Sequence, residues 1–190
     1  MSADSRRCLL IRHGQTAWSL DGRHTGRTDL PLTPLGEAQS RALGPKLDLQ
    51  VTAVFCSPLI RARRTCELAG LGDLAVIDPD LREWDYGAYE GLTTAEIRSE
   101  RAGWDLFDDG APGGETAADV GRRADRVIDR IRAATGEVAC VAHAHLLRVL
   151  AARWIGLEPA GGRYLVLAPA SVSELGWERE RPVIGGWNRI

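Results

Sequence analysis

The sequence predicts an α/β fold built on a mostly parallel sheet. Apolar runs at 8–11, 51–56, 74–77 and 138–141 have the length and composition of strands that are buried on both faces. Stretches with helical spacing of apolar residues lie between most of these runs. Strands that alternate with helices along a chain form parallel sheets, because each helix crosses over to return the chain to the same edge.

The first strand, at 8–11, leads through a polar stretch into a predicted helix. Thr33 is a good N-cap, and Pro34 fits the first helical position, where a missing N–H costs nothing. Apolar residues then follow at helical spacing, at Leu35, Ala38, Ala42, Leu43 and Leu47. We therefore expect this helix to extend to about residue 47.

The second strand, at 51–56, is followed directly by Ser57 and Pro58, which predict a turn. A helix is expected over 61–68, and the third strand over 74–77. This strand–helix–strand order repeats the pattern of the first segment and extends the parallel sheet.

Residues 81–114 differ in composition from the rest of the chain. They are rich in glycine, acidic residues and aromatic side chains, the last being Trp84, Tyr86, Tyr89, Trp104 and Phe107. The only helix that the pattern predicts here is a short one over 94–101. A long irregular stretch in a compact domain is usually functional, so we expect these residues to cap an active site.

The last third of the chain returns to regular structure. A long helix is expected from Thr116, then the fourth strand at 138–141, and then a helix after His143 with apolar residues at Leu146, Leu147, Leu150, Trp154 and Ile155. Short edge strands are expected at 164–167, 172–177 and 182–184. No repeat or linker interrupts the pattern, so residues 1–190 are expected to form a single domain.

Composition excludes several classes of protein. Hydrophobic residues make up 44% of the 190 residues and charged residues 26%, which is typical of a globular protein and not of a disordered one. A net charge of −2 argues against nucleic acid or an anionic membrane as a partner. Neither a signal peptide nor a membrane span is expected, and the four cysteines lack disulfide or metal-site spacing, so we expect buried thiols in a cytoplasmic protein.

Three polar clusters directly follow predicted strands. They are the segment 12–14 (Arg-His-Gly), the segment 57–61 and His143. Ligands of open α/β sheets bind beyond the carboxyl ends of the strands, so these clusters are expected to converge. A neutral imidazole can attack phosphorus, and the guanidinium groups of Arg12 and Arg61 with a protonated His143 would bind a phosphate.

Glu83 is a candidate general acid for an alkoxide leaving group, since packing beside aromatic residues would favour its protonated form. Each of these residues also has a structural explanation. A strand-end histidine is often only a hydrogen-bonded structural residue, and the arginines after Ser57 fit a solvated helix face. Spacing alone leaves both interpretations open. A metal site is not expected, because His143 and His145 would lie on different faces of a helix.

Five motifs in order resemble the signatures of the histidine phosphatase superfamily. They are LIRHGQT at 10–16, TGRTDLPLT at 25–33, SPLIRA at 57–62, LREWDYG at 81–87 and VAH at 141–143. The resemblance spans almost the whole chain. It implies the phosphoglycerate mutase-like fold, which has three α/β/α layers, a mostly parallel central sheet and an antiparallel edge strand.

The resemblance also implies roles for individual residues. His13 would become phosphohistidine, Glu83 would donate the proton, and Arg12, Arg61 and His143 would hold the phosphoryl group. Substrate contacts are implied for Gly14, Ser19, Thr25, Gly26, Tyr86 and Ala144. Ser19 stands where many members have Asn, and Ala144 replaces a frequent Gly. No cofactor and no metal is required by this chemistry.

Within the superfamily, the sequence most resembles sedoheptulose-bisphosphatase-like enzymes and bacterial acid phosphatases. From Trp84 to Val120 the only basic residues are Arg98 and Arg101, whereas mutases usually carry a longer, more basic insertion. We therefore expect hydrolysis of small phosphomonoesters, such as sugar phosphates. A cofactor-dependent phosphoglycerate mutase and a non-catalytic phospholigand-binding module stay open as alternatives. The roles of His24 and His145 and a possible homodimer through a C-terminal edge strand are also open.

Overall fold

The computed structural model of the protein describes residues 7–47 and 51–190. These residues contain one six-stranded sheet, formed by β1 (Cys8–Arg12), β2 (Val51–Cys56), β3 (Ala75–Ile77), β4 (Glu137–Ala142), β5 (Val172–Glu178) and β6 (Arg181–Arg189). The strand order is β3-β2-β4-β1-β5-β6. The first four strands in this order run parallel, whereas β5 pairs antiparallel with β1 and β6 antiparallel with β5.

The helices in the described part of the chain are α1 (Ala17–Asp21), α2 (Pro34–Arg41), α3 (Ile60–Leu68), α4 (Thr94–Glu100), α5 (Leu106–Asp109), α6 (Ala117–Ala133) and α7 (Ala144–Trp154). Short 3₁₀ helices cover Gly44–Lys46, Gly72–Leu74, Pro79–Leu81, Gly87–Tyr89 and Pro159–Tyr164. Thr33, Thr93 and Thr116 cap α2, α4 and α6 by accepting a backbone hydrogen bond in the first turn. The predicted cap at Thr33 and the predicted start of a helix at Thr116 are thereby confirmed.

The central strand β1 is buried on both faces, as its apolar sequence predicts. Cys8 and Leu10 pack into the core that contains the inner faces of α6 and α7. Leu9 and Ile11 point the opposite way, into a second core with residues of α3. The three-layer α/β/α arrangement is therefore confirmed.

Helix α2 is shorter than its apolar spacing predicts. It ends at Arg41, and a 3₁₀ helix over Gly44–Lys46 follows. Gly44 is a poor helix former, and Pro45 has no N–H to donate and disfavours helical geometry in the residue before it. Leu47 is nevertheless 5% exposed, whereas Leu35 is 55% exposed and does not belong to the buried face that we expected.

The strand predicted at 164–167 is wrong. The 3₁₀ helix Pro159–Tyr164 reaches into this segment, and residues 165–168 pair with no strand. Arg148 of α7 donates to the carbonyl oxygens of Gly162 and Arg163, which ties this segment to the helix layer. The edge beside β5 is occupied by β6, which is longer than the predicted strand at 182–184.

Residues 81–114 form short helices joined by irregular segments. Among these helices, the sequence pattern predicts only α4. The large aromatic side chains Trp84, Tyr86, Trp104 and Phe107 are buried in the core on the α6–α7 side of the sheet. The missed helices α1 and α5 have only five and four residues, which is too short for an apolar periodicity to show.

The parallel strands bring the predicted polar clusters to one edge of the sheet. The end of β1 lies beside the end of β4, where Arg12 is in register with Ala142. Just beyond the strands, the N–H of His13 donates to Ala142 O at 3.0 Å, and the N–H of Ser57 donates to Val141 O at 3.0 Å. Segments distant in sequence therefore meet where β1, β2 and β4 end.

Candidate active site

His13 is a buried, neutral imidazole with one nitrogen free. Its Nδ1 lies 2.7 Å from the carbonyl oxygen of Gly14. A carbonyl oxygen only accepts, so Nδ1 carries the proton and Nε2 presents a lone pair. Burial, and then the positive charges of Arg61 and Arg12, lower the pKa of His13 well below its usual range.

Gly14 positions this imidazole through its backbone. Its carbonyl accepts from His13, and its N–H donates to Thr65 Oγ1 at 3.0 Å. A Cβ at position 14 would lie 2.3 Å from the carbonyl oxygen of Gly36 in α2. Only glycine fits where the loop after β1 passes α2.

His143 lies beside His13, with ring centroids 5.1 Å apart. Its Nδ1 accepts from Arg61 Nε at 3.2 Å, so the ring proton is on Nε2, which lies 2.7 Å from Ser57 Oγ. Burial and the charge of Arg61 lower the pKa of His143 well below its usual range. The ring is therefore neutral, and our expectation of a protonated His143 is wrong for this state of the site.

Arg61 is fully buried and binds the loop that carries Thr25 and Gly26. Its Nη2 donates to Thr25 O and Gly26 O, both at 3.0 Å, and its Nη1 donates to Thr28 O at 2.9 Å. With its Nε on His143, the guanidinium joins α3, this loop and the end of β4. The arginine is thus an interior residue, and the solvated helix face that we considered does not apply to it.

Arg12 has an unused hydrogen-bond donor next to His13. Its Nη1 donates to Leu167 O, whereas its Nε is buried with no hydrogen-bond partner among the described residues. An unpaired buried donor is costly, because folding removes its water without replacing it. A guanidinium with a free donor beside a neutral imidazole is an arrangement suited to binding an anion.

Glu83 is 7% exposed and lies against the start of α7. Its Oε1 accepts from the N–H groups of Trp84 and Leu146, both at 2.9 Å, and its Oε2 accepts from the N–H of His145 at 3.1 Å. These three backbone donors hold the carboxyl group in place against the start of α7. Oε2 has one backbone partner and keeps a lone pair for a proton.

A cavity of about 310 Å³ opens over His13. Seven predicted site residues line it, namely Arg12, His13, Ser19, Thr25, Glu83, Tyr86 and Ala144. Arg61 and His143 are completely buried and are not among its lining residues, and neither are Gly14 and Gly26. The predicted residues therefore fall into two groups. Seven line the cavity, and the other four do not.

Several predicted substrate contacts have their polar groups engaged within the protein. The Ser19 hydroxyl donates to Thr16 O at 3.0 Å and accepts from the N–H of Thr16 at 2.9 Å, which forms the capping box of α1. The N–H of Gly26 donates to the Glu90 carboxylate at 2.9 and 3.1 Å. The Thr25 hydroxyl donates to Arg23 O at 3.2 Å.

Arg148 is a lining residue that the sequence analysis missed. Its guanidinium lies 4.9 Å from the ring centroid of Phe107, and desolvation lowers its pKa. The sequence could have indicated this role for Arg148, because it lies four positions after Ala144 on one helix and so shares its face. His24 and His145, whose roles the sequence left open, also line the cavity. The other unpredicted lining residues are Thr16, Gly22, Arg23, Thr94, Val166 and Leu167.

One wall of the cavity is polar but uncharged. Tyr86 Oη and His145 Nδ1 are hydrogen-bonded at 2.7 Å, and the His24 ring stacks on Tyr86 with centroids 4.8 Å apart. Burial raises the pKa of Tyr86 well above its usual range. Burial also lowers the pKa values of His24 and His145, so all three side chains are neutral.

Among residues 7–47 and 51–190, no group of three or more His, Cys, Asp or Glu side chains is arranged to bind a metal ion. No helix of this described part combines the length and apolarity that crossing a membrane demands. All four cysteines are buried and free, as we expected from their spacing.

The chain is similar to known phosphatases over nearly its whole length. It is 39% identical over 193 residues to an acid phosphatase of Mycobacterium tuberculosis, covering 97% of this chain and 95% of that protein. It is also 39% identical over 184 residues to a sedoheptulose 1,7-bisphosphatase of Saccharomyces cerevisiae, covering 80% of this chain and 68% of the relative.

A solved mycobacterial glucosyl-3-phosphoglycerate phosphatase superposes with a TM-score of 0.88 at 30% identity, covering 98% of this chain and 100% of the other. The sequence pattern of the Histidine phosphatase superfamily (branch 1) matches residues 8–190. The fold, the paired strand-end histidines and these matches agree with one another. The chain therefore belongs to the histidine phosphatase superfamily and is a phosphomonoester hydrolase.

Proposed function

We propose that this phosphatase hydrolyses small sugar phosphates through a phosphohistidine on His13. One observation carries the proposal. A neutral His13 with a free Nε2 lines the same cavity as Arg12, whose guanidinium keeps a donor without a protein partner among the described residues. The nucleophile and a cation for the phosphate oxygens thus lie side by side before substrate binds.

In the first step, His13 Nε2 attacks phosphorus. The N–P bond forms while the ester P–O bond breaks, and the alkoxide leaves with a proton from Glu83. Glu83 lines the cavity and has a lone pair on Oε2 that can carry this proton. The Nδ1–H of His13 stays on Gly14 O and holds the ring in place as charge develops on it.

In the second step, water attacks the phosphohistidine. Glu83, now a carboxylate, takes a proton from the water, the N–P bond breaks, and inorganic phosphate leaves with His13 neutral again. Arg12 in the cavity wall stabilises the transferring phosphoryl group in both steps. Arg61 and His143, which lie behind the wall, position His13 and the 25–28 loop.

Hydrolysis is favoured over mutase chemistry because the segment after Glu83 adds no basic residue to the cavity. Arg98 donates from Nε to Trp104 O at 2.8 Å, and Arg101 pairs with Asp109. The lining residues from this segment are Tyr86 and Thr94, both uncharged. Nothing in this segment would retain a second phosphate while the phosphoryl group returned to substrate.

The substrate class follows from the size and polarity of the cavity. A cavity of about 310 Å³ with an uncharged, hydrogen-bonding wall suits a compact hydroxylated leaving group. The yeast and mycobacterial relatives are named for their action on sugar-derived phosphates. Residues 81–114, which supply Glu83, Tyr86 and Thr94, would act as the cap over this substrate within a single domain.

The test is release of inorganic phosphate from a panel of phosphorylated metabolites, without added metal, by wild type and His13→Ala. Isomerisation of 3-phosphoglycerate with a bisphosphate primer is assayed alongside. Release from sugar phosphates that is lost in His13→Ala supports the proposal. Isomerisation with little release would favour the mutase, and silence in both assays would favour the phospholigand-binding module.

We also propose a cellular location and an oligomeric state for this enzyme. The buried free cysteines favour a reducing compartment, so we place the enzyme in the cytoplasm. Cell fractionation with a tagged chain tests this location. The outer edge of β6 has no partner strand within the described residues and would pair two chains in a homodimer. Sedimentation equilibrium of the purified protein measures whether that dimer forms.

A further inference from the structure

His24 belongs to the cavity but has no place in the catalytic steps described above. It follows α1, and its backbone N–H donates to Leu92 O at 2.9 Å. Its ring stacks on Tyr86 and meets Trp104 edge-on, with centroids 5.6 Å apart. Aromatic contacts on two sides fix the orientation of the imidazole, so whatever it binds is bound by a preorganised group.

The two ring nitrogens of His24 have different surroundings. Nε2 is buried and has no hydrogen-bond partner among the described residues. Nδ1 also has no protein partner there, but it is not among the buried atoms, and the side chain lines the cavity. A buried N–H without an acceptor costs more than a buried lone pair, so the proton belongs on Nδ1. His24 therefore offers an N–H donor that a ligand can reach.

The charge distribution shows which part of a ligand this donor meets. The guanidinium groups of Arg12 and Arg148 supply the positive charge that a phosphate needs. Arg23 also lines the cavity, but its Nη1 donates to Gly91 O at 2.8 Å and lies 3.5 Å from the Glu96 carboxylate, which offsets its charge. His24, Tyr86 and His145 form a neutral wall, since burial lowers the pKa of His24 although Glu90 opposes the shift. The wall that lacks positive charge is suited to the alcohol part of the ester.

We propose that His24 determines specificity for the leaving group. Its Nδ1–H donates a hydrogen bond to a hydroxyl oxygen of the sugar, so that polyhydroxylated leaving groups are bound in preference to alkyl ones. This inference rests on the proposed function, because it assigns a subsite to the same phosphatase reaction. The recognised class is the phosphate monoester of a polyol or sugar.

The experiment compares glucose 6-phosphate with n-hexyl phosphate. Both are primary esters with six carbons, and only the first has hydroxyl groups. Wild type is expected to have the higher kcat/KM for glucose 6-phosphate. His24→Phe keeps the ring between Tyr86 and Trp104 but removes the donor. We expect it to lower kcat/KM for glucose 6-phosphate by roughly 3- to 10-fold, the value of one neutral hydrogen bond, through KM.

The same variant should change kcat/KM for n-hexyl phosphate less than about twofold, since that ester has no partner for Nδ1. His24→Asn, which keeps an amide donor close to the position of Nδ1 and loses the ring, should retain the preference for glucose 6-phosphate. A purely structural role for His24 would give equal losses on both esters in His24→Phe. That result, or an unchanged preference in His24→Phe, overturns the inference.

Wild type alone provides a test that does not depend on the folding of a variant. If it hydrolyses both esters with the same kcat/KM, the inference is overturned while the proposed phosphatase function stands. If it releases phosphate from neither ester, nor from any sugar phosphate, the proposed function fails and the inference fails with it. If wild type hydrolyses both esters and His13→Ala hydrolyses neither, the phosphatase function holds, and only the inference about His24 is decided by the ratio of the two kcat/KM values.

Discussion

His13 and Gly14 are joined by a hydrogen bond that runs within the loop after β1, from the imidazole Nδ1 of the first residue to the carbonyl oxygen of the second, over 2.7 Å. This bond fixes the tautomer in which Nε2 has the lone pair. The bond requires that Gly14 O keep one orientation. The close packing of Gly14 against α2 holds the carbonyl group in that orientation.

Gly14→Ala should destabilise the protein and reduce turnover. The new Cβ would lie 2.3 Å from Gly36 O, so the loop after β1 must shift and carry the acceptor of His13 with it. We expect a loss of about 1–3 kcal/mol in the free energy of unfolding, as for other overpacked sites. Urea denaturation measures it. Gly176→Ala in β5, whose Cβ meets nothing within 4 Å, is the control and should lose much less.

The protein should lose stability as pH falls below about 6.5, the pKa of a histidine in an unfolded chain. The pKa values of His13, His143 and His145 are all lowered by burial, so the unfolded state binds more protons than the folded state in this range. Their stabilisation is complete above pH 6.5 and declines as pH falls towards the folded-state pKa values. Each contributes a slope of up to about 1.4 kcal/mol per pH unit.

Urea unfolding at a series of pH values from 7.5 to 5 measures this slope. His145→Asn removes one of the three groups and should make the slope shallower. A stability that does not change between pH 7.5 and 5.5 would contradict the neutral, buried state of these histidines.

Glu83→Gln should slow the enzyme according to its leaving group. An amide cannot donate the proton that an alkoxide requires, whereas a nitrophenolate leaves without one. We expect kcat/KM for a sugar phosphate to fall by about 10²–10⁴-fold and that for p-nitrophenyl phosphate to fall far less. Equal losses on both esters would show that Glu83 acts by holding the start of α7, where it accepts from Leu146 N, and not as the acid.

Ser57→Ala should perturb His143. The Ser57 hydroxyl lies 2.7 Å from His143 Nε2, and its removal leaves a buried N–H without an acceptor. A loss of about 1–3 kcal/mol in the free energy of unfolding is expected. The ¹⁵N chemical shifts of the imidazole report the tautomer directly, and the Nε2–H signal of His143 should change in the variant. The control is Ser173→Ala, which alters a buried serine of β5. It should leave the His143 signal unchanged.

The location of the site was predictable because it depends on local signals and on topology. Apolar runs identify strands, and parallel strands place their carboxyl ends together, so His13 and His143 could be brought to one edge from the sequence alone. The cap at Thr33 was equally predictable, since a cap involves only neighbours in sequence.

Charge states and occupied donors were not predictable in the same way. The neutrality of His143 depends on burial and on Arg61, which is 82 positions away in sequence. The Ser19 hydroxyl is engaged by Thr16, and that use is decided by whether a short helix forms there. Arg61 was expected to face a phosphate, but its guanidinium binds backbone carbonyls of a loop whose path the sequence pattern does not define.

The central claim is that His13 becomes phosphorylated during turnover. The most direct measurement mixes the enzyme with a sugar phosphate labelled with ³²P on its phosphoryl group and quenches the reaction in alkali within milliseconds. Wild type should retain label on the protein that is stable in alkali and lost in acid, as expected for phosphohistidine, and His13→Ala should retain none. Turnover of the sugar phosphate with no labelled protein at any quench time, or label that persists in His13→Ala, would contradict the account.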